Sequence, residues 1–229
     1  MTTRGSFGLI RRRTCPLPTA RGVAVLLFMA VVTGAAVVTF IHSFLALNAP
    51  VNGNILVVEG WLYDEALQSA VSRFEQGEYE YLVTTGGPLV RGAHLSEYGS
   101  FAELSAAILT ASGFDPGRLI VIPSPPVARD RTYASALALQ GRLNESGIDV
   151  RGGIDLFTSG THGRRARMLF EMALGPEVAV GVISMSNPAY DATTWWRSSA
   201  GVRAVMNESI AYLYARLVFS PARDGGDFG

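Results

Sequence analysis

Five short apolar runs, each closed by small or polar residues and followed by a helical stretch, constrain this chain more than any other feature. They are NILVVEG at 54–60, YLVTTGG at 81–87, RLIVIPS at 118–124, IDLFTSG at 154–160 and EVAVGVISM at 177–185. Continuous apolar runs of this length suit strands buried on both faces. Between them the spacing predicts helices over 64–77, 97–112, 130–146 and 161–174, ended by Gly77, Gly113, Gly147 and Gly175. A last helix is predicted over 194–219, before Pro221. Asp64, Asp130 and Thr161 stand where helix caps belong. Strand alternating with helix implies an α/β fold. It is a Rossmann-like, mainly parallel sheet of about five strands with helices on both faces and right-handed crossovers.

Ahead of this pattern, Gly22 to Ile41 carries no charge and is mostly apolar. A helix of ~20 residues spans the ~30 Å hydrocarbon core of a bilayer. Arg4, Arg11, Arg12, Arg13 and Arg21 precede it with no acid among them, and the next acid after it is Glu59. The positive-inside rule then places the N-terminus in the cytoplasm and the α/β domain outside an inner or plasma membrane. The expected layout is a basic N-terminus (1–21), a transmembrane helix (22–43), a linker (44–53), the domain (54–220) and a disordered tail (221–229). A cleaved signal peptide is the rival reading. Its apolar core is usually ~7–15 residues long, and LALNAP offers an imperfect site at Ala49. A buried core helix fits less well, because the run has no polar face. His42 is expected at the membrane interface without a chemical role. Cys15 reads as a cytosolic free thiol, with palmitoylation as the alternative.

Composition removes several function classes. Formal net charge is +0, so bulk charge gives no argument for nucleic acid as a partner. All 19 basic residues are arginine, which excludes a P-loop lysine, a Schiff-base lysine and a lysine base. A single cysteine excludes a disulfide framework and a cysteine-based zinc site within one chain. No metal site is predicted, no cofactor is assigned, and the oligomeric state stays open. No G-x-G-x-x-G follows the first strand, so a standard dinucleotide site is not expected.

Ligands of open parallel sheets bind beyond the carboxyl ends of the strands. Those ends present Glu59-Gly60-Trp61, Thr84 to Gly87, Ser124 with Asp130-Arg131-Thr132, Thr158 to His162, and a loop with Asn187, Tyr190 and Asp191. Glu59 follows four apolar residues, so its carboxylate is expected to meet an arginine or a metal. Gly86-Gly87 reads either as a turn or as an anion cradle, and Trp61 as core or as a ligand platform. His94 is expected exposed, and at least one of Trp195 and Trp196 in the core. The strongest local signal is TSGTHGRRARMLF at 158–170. Thr161 would cap a helix whose buried stripe is Ala166, Leu169, Phe170 and Ala173. His162 and Arg165 then share a face at its first turn. Free amides there attract an anion, and Arg165 offers a fork for phosphate or carboxylate. His162 would be a general acid or base oriented by Glu59 or Asp130. Arg164 and Arg167 are expected in solvent. The bland alternative is a solvated helix start. The stretch matches neither G-x-S-x-G nor H-E-x-x-H.

The order NILVVEGW, LVTTGG, DRTYASAL, LFTSGTHGRRARMLF and YDATTWWRSSAGVRAVMNESIAYLYARL, over 54–219, resembles the YdcF/SanA/ElyC-like family of bacterial proteins. The resemblance implies a membrane-anchored domain linked to envelope integrity and to peptidoglycan or lipid-carrier processes. One branch of that family is reported to bind S-adenosylmethionine. By motif, Gly86 and Gly87 match the family's glycine pair, Thr132 its helix threonine, and Ser159, His162 and Arg165 its T-S-x-x-H-x-x-R signature; His162, with Glu59 or Asp130, is then expected to be catalytic, and Gly86, Gly87, Thr132, Ser159, Thr161 and Arg165 to bind the ligand. The chain departs from the pattern at Ala134 and Ser135, where many relatives carry Glu or Asn. The expected function is therefore an anion-binding site of hydrolase or transferase type acting on a phosphorylated or lipid-linked envelope precursor. The alternatives are a ligand-binding module without turnover, for a nucleotide-like or S-adenosylmethionine-like ligand, and a membrane-tethered scaffold docking through Tyr212, Leu213 and Leu217 of the last helix.

Overall fold

Residues 19–90 and 95–221 are described by a computed structural model. Arg4, Arg11, Arg12, Arg13, Cys15, His94 and the predicted tail from 222 on lie outside the described residues. The chain divides into two units after Thr39. The first holds most of helix α1 (Ala20–Leu45), which is long and apolar enough to cross a membrane. Its side chains, Leu26, Leu27 and Phe28 among them, are exposed. The helix runs past the predicted end at residue 43, and its last turn belongs to the second unit.

That second unit is the α/β domain. Its strands are β1 (Ile55–Glu59), β2 (Tyr81–Gly86), β3 (Leu119–Pro123), β4 (Ile154–Ser159) and β5 (Val180–Met185). Its helices are α2 (Asp64–Gln76), α3 (Phe101–Ala111), α4 (Arg131–Ser146), α5 (Gly163–Leu174) and α6 (Ser199–Leu217). All strand pairs are parallel, in the order β3-β2-β1-β4-β5. This is the Rossmann-like arrangement expected from the alternation of strands and helices. Strand side chains alternate between faces. Ile55, Val57, Ile154 and Leu156 pack with α4, α5 and α6, while Leu56, Val58 and Phe157 pack with α2 and α3. The same parity carries Glu59 and Thr158 onto the α5 side. The chain leaves β1 for β2 and β3, then returns to the other side at β4. The crevice at the carboxyl ends of β1 and β4 is thus the topological switch point.

Several helix starts differ from their expected form. Asp64 is the first residue of α2 rather than its cap; Tyr63 holds the cap position without a side-chain bond. Helix α3 begins four residues later than predicted, because Ser100 and Glu103 form a reciprocal capping box. The last helix is broken. Asp191 caps a 3-10 segment over Ala192–Arg197, and α6 restarts behind its own cap, Ser198. Trp195 is buried and Trp196 exposed.

The connector after α1 is fastened to the domain rather than free. His42 Nε2 lies 3.2 Å from the hydroxyl of Tyr190, ring edge against ring face. Ala49 and Val182 form an antiparallel bridge. Arg164, expected in solvent, donates to the carbonyl of Phe44 and stacks over that ring at 4.0 Å. At the amino end of the sheet, fully buried Asp155 accepts from the amides of Val51 (2.7 Å) and Asn52 (3.0 Å) and from the hydroxyl of Tyr79 (2.8 Å). Burial, then the bond and charge of Asp155, push the Tyr79 hydroxyl up to about 12. Gly181 leaves the space the carboxylate fills. Asp155→Ala is expected to cost about 3 kcal/mol through the stranded donors. Amide exchange at Val51 and Asn52 should accelerate first, and unchanged protection there would contradict the role.

Candidate functional site

One cavity, of about 370 Å³, occupies the switch point. Glu59, Trp61, Thr85, Gly86, Gly87, Arg131, Thr132, His162, Arg165 and Glu208 are among its lining residues. The ends of β1 and β2, the turn after β4, and the starts of α3, α4 and α5 contribute, with Glu208 from α6.

The centre is a buried charge relay. After β4 the chain makes a tight 3-10 turn, Gly160–His162, with Gly160 at a φ of +51°. That turn tucks His162 directly behind the strand ends, so it is buried rather than poised at an exposed helix start. Its Nε2 lies 3.3 Å from Glu59 Oε1, and its Nδ1 lies 3.2 Å from Glu208 Oε1. Arg165, one turn on, grips Glu208 with two bonds, Nε to Oε2 at 2.8 Å and Nη2 to Oε1 at 2.9 Å. Glu59 is held from the other side by the hydroxyl of Thr158 and by the Trp61 side chain. The Trp61 ring stands edge-on to the imidazole at 5.5 Å.

These contacts set the protonation states. Burial disfavours an imidazolium, and Arg165 Nη2, 3.0 Å from Nδ1, opposes it too. The charge of Glu59 and the bonds from Glu208 and Glu59 outweigh both and push His162 up to about 9. Burial would raise Glu59, but the charge and bonds of His162, then Thr158 and Trp61, bring it below its usual range. Burial likewise opposes Glu208, which the bonds from His162 and Arg165 draw down to about 2. Burial works against Arg165 also, and Glu208 raises it. At neutral pH the cavity therefore holds an imidazolium with both N–H groups donating to carboxylates. With Arg131 and Arg165, three cations and two carboxylates line the cavity, and the charge of Asp130 reaches Arg165 as well.

The predicted site residues separate into two groups. Glu59, Gly86, Gly87, Thr132, His162 and Arg165 meet at the cavity. Ser159 and Thr161 are buried but are not among its lining residues. Thr161 does not cap α5; its hydroxyl donates to the carbonyl of Ala204 and bonds Tyr190, securing α6 and the preceding loop. Asp130 is not the acid on His162, since Glu59 and Glu208 occupy the two ring nitrogens. It sits at the head of α4 with left-handed backbone, makes no capping bond, and acts on Arg165 through its charge. The fork of Arg165 is turned to Glu208 rather than outward to an anion. Gly86 has a packing reason: a Cβ there would lie 2.9 Å from that of Phe101, blocking the start of α3. Arg167 does face solvent, paired with Glu171 at 2.8 Å.

The residue missed was Glu208; Arg131, named at the rim, had been given no role. Glu208 is the one acid in the nineteen-residue α6, a signal visible in the sequence. Arg131 follows Asp130 directly and is among the residues lining the cavity at the first turn of α4, whose N-cap residue makes no side-chain cap bond. Among the described residues no group of three or more His, Cys, Asp or Glu is arranged to hold a metal ion. Comparison with family models, curated proteins and solved structures gives no match.

Proposed function

We propose that this is a membrane-anchored protein whose α/β domain lies outside the cytoplasm and binds an anionic, phosphate-bearing cell-envelope precursor. The peptidoglycan and lipid-carrier intermediates suggested by the YdcF/SanA/ElyC-like resemblance are the candidates. The reading rests on one observation: an imidazolium held between two carboxylates lines the same cavity as a glycine turn, Arg131 and the uncapped start of α4. Arg131, Thr132 and the first amides of α4 bind the phosphate, as helix starts do. As water or an acceptor hydroxyl bonds to phosphorus and the bridging P–O bond breaks, His162 gives its Nε2 or Nδ1 proton to the leaving oxygen and the nucleophile's proton passes to solvent, a hydrolase or transferase role. Glu59 and Glu208 hold the ring in orientation and keep it charged.

A second reading has its own support. Both nitrogens of His162 and the fork of Arg165 are already satisfied by protein groups. A module that binds the phosphate without turnover, with the relay serving as its rigid floor, uses the network as it stands.

Titration of full-length protein in detergent with inorganic phosphate, pyrophosphate and a polyprenyl diphosphate tests both. Loss of one charge-assisted contact costs ~1.5–3 kcal/mol, so Arg131→Ala is expected to weaken binding at least about tenfold. Arg167→Ala should bind as wild type does. If phosphate is released from the diphosphate and His162→Gln abolishes release while retaining binding, the catalytic reading stands. Binding without release supports the module, and failure of every phosphate probe to bind overturns both.

A further inference from the structure

Helix α6 carries two stripes. Gly201, Val205, Glu208, Tyr212 and Ala215 recur at three- and four-residue steps and turn inward, where Gly201, Val205 and Ala215 are buried. Val202, Met206, Ile210, Leu213 and Leu217 recur in the same way, centred roughly 140° around the helix at 100° per residue. This second stripe covers four turns and stands open: Met206 is 52% exposed, Ile210 63%, Leu213 54% and Leu217 76%. An uninterrupted apolar stripe of this length marks an interaction surface.

The charges around it are of one sign. Arg203 and Arg216 border the stripe on its two sides, and both are exposed. The helix's one acid, Glu208, is turned away and clasped by Arg165. Exposed Trp196, with Arg197 beside it, stands just before the helix. An apolar stripe flanked by arginines, with tryptophan at its end, is the composition of a helix that lies in a membrane interface.

The chain's own connectivity says which surface is within reach. The apolar run of α1 ends at Ile41, and Phe44 follows after about 5 Å of helix. Phe44 packs edge-on against Tyr212 of α6 at 5.5 Å. Whatever direction the span takes, α6 is thereby held within a side chain's length of the point where the apolar run ends.

We infer that the outward stripe of α6 rests in the headgroup region of the bilayer entered by α1, with Arg203, Arg216 and Arg197 on anionic headgroups. The inference rests on α1 being a membrane span. It places one helix between lipid on its outer face and, through Glu208, the cavity on its inner face. A lipid-linked ligand would then reach the cavity without leaving the membrane surface.

Spin labels on the full chain in phosphatidylglycerol–phosphatidylethanolamine vesicles test this. In a Cys15→Ser background, single cysteines replace Ile210 or Met206 on the stripe, Val31 in the span, and Thr110 on exposed α3 as the water reference. Collision with oxygen relative to a water-soluble nickel chelate is then measured. The labels at 210 and 206 are expected to give ratios several-fold above that at 110, approaching that at 31. A lipid-like value at 31 with water-like values at both 210 and 206 overturns the inference and leaves the span intact. A water-like value at 31 removes the span itself, and the inference with it. Spectra at 210 that sharpen on dilution with unlabelled chain would assign the stripe to contact between copies, which also overturns it.

Discussion

Glu208→Ala is expected to destabilise the domain by about 3–5 kcal/mol, the cost of leaving buried charge without its partner. The carboxylate receives two bonds from Arg165 and one from His162. Without it, a guanidinium and an imidazolium face each other at 3.0 Å, the Arg165 side chain only 19% exposed. For a chain of this size each kcal/mol moves the thermal midpoint by ~2–4 °C, so a fall of roughly 6–20 °C should follow in a detergent-solubilised melt. Glu208→Gln keeps an acceptor oxygen and should fall less. Pairing Glu208→Leu with Arg165→Met removes both charges and should recover much of the loss, since apolar replacement of a whole buried pair is often neutral. A double variant no better than Glu208→Ala would mean that packing of α6, and not charge, makes Glu208 necessary.

The second large effect is on pH. His162 is pushed up to about 9 in the folded protein, from an ordinary value of 6.5. A group raised on folding binds its proton more tightly in the native state. Its stabilisation is complete below about pH 6.5 and is lost as pH climbs through 9. At 1.36 kcal/mol per unit the loss is on the order of 3 kcal/mol. Glu208 runs the other way: drawn down to about 2, it stabilises above its ordinary value of 4.5 and loses that contribution as pH falls towards 2. Stability is therefore expected to peak between about pH 4.5 and 6.5 and to decline on the alkaline side well before arginine titrates. His162→Phe should flatten the alkaline limb, because the titrating group is gone. An alkaline limb that persists unchanged in that variant would assign the decline elsewhere. If His162 is the proton donor, turnover of a phosphate-bearing substrate should fall over the same alkaline range.

Much of the site was legible because parity and topology are local rules. A carboxylate placed after four apolar residues had to lie at a buried strand end, and Glu59 does. Three-residue spacing put His162 and Arg165 on one face, and they do share Glu208. The misreadings came where a residue has two local uses. Thr161 and Asp130 both look like caps. A 3-10 turn takes the first into a bond with α6, and left-handed backbone takes the second away from its helix amides. Arg164 and Arg167 look equivalent in sequence. Only the return of residues 44–49 across the domain gives Arg164 a ring to cover.

The sequence by itself determined the strand and helix alternation, an apolar helix long enough to cross a membrane, and the rim at which the cavity lies. Each of these depends on periodicity within a few residues of chain. The tertiary structure decided which acid pairs with which base. Glu208 lies 46 residues beyond His162 and Glu59 lies 103 before it. Nothing in local spacing relates groups so far apart, because their meeting depends on how α6 and β1 pack against α5. That packing turned His162 from a residue able to give or take a proton into one that holds it.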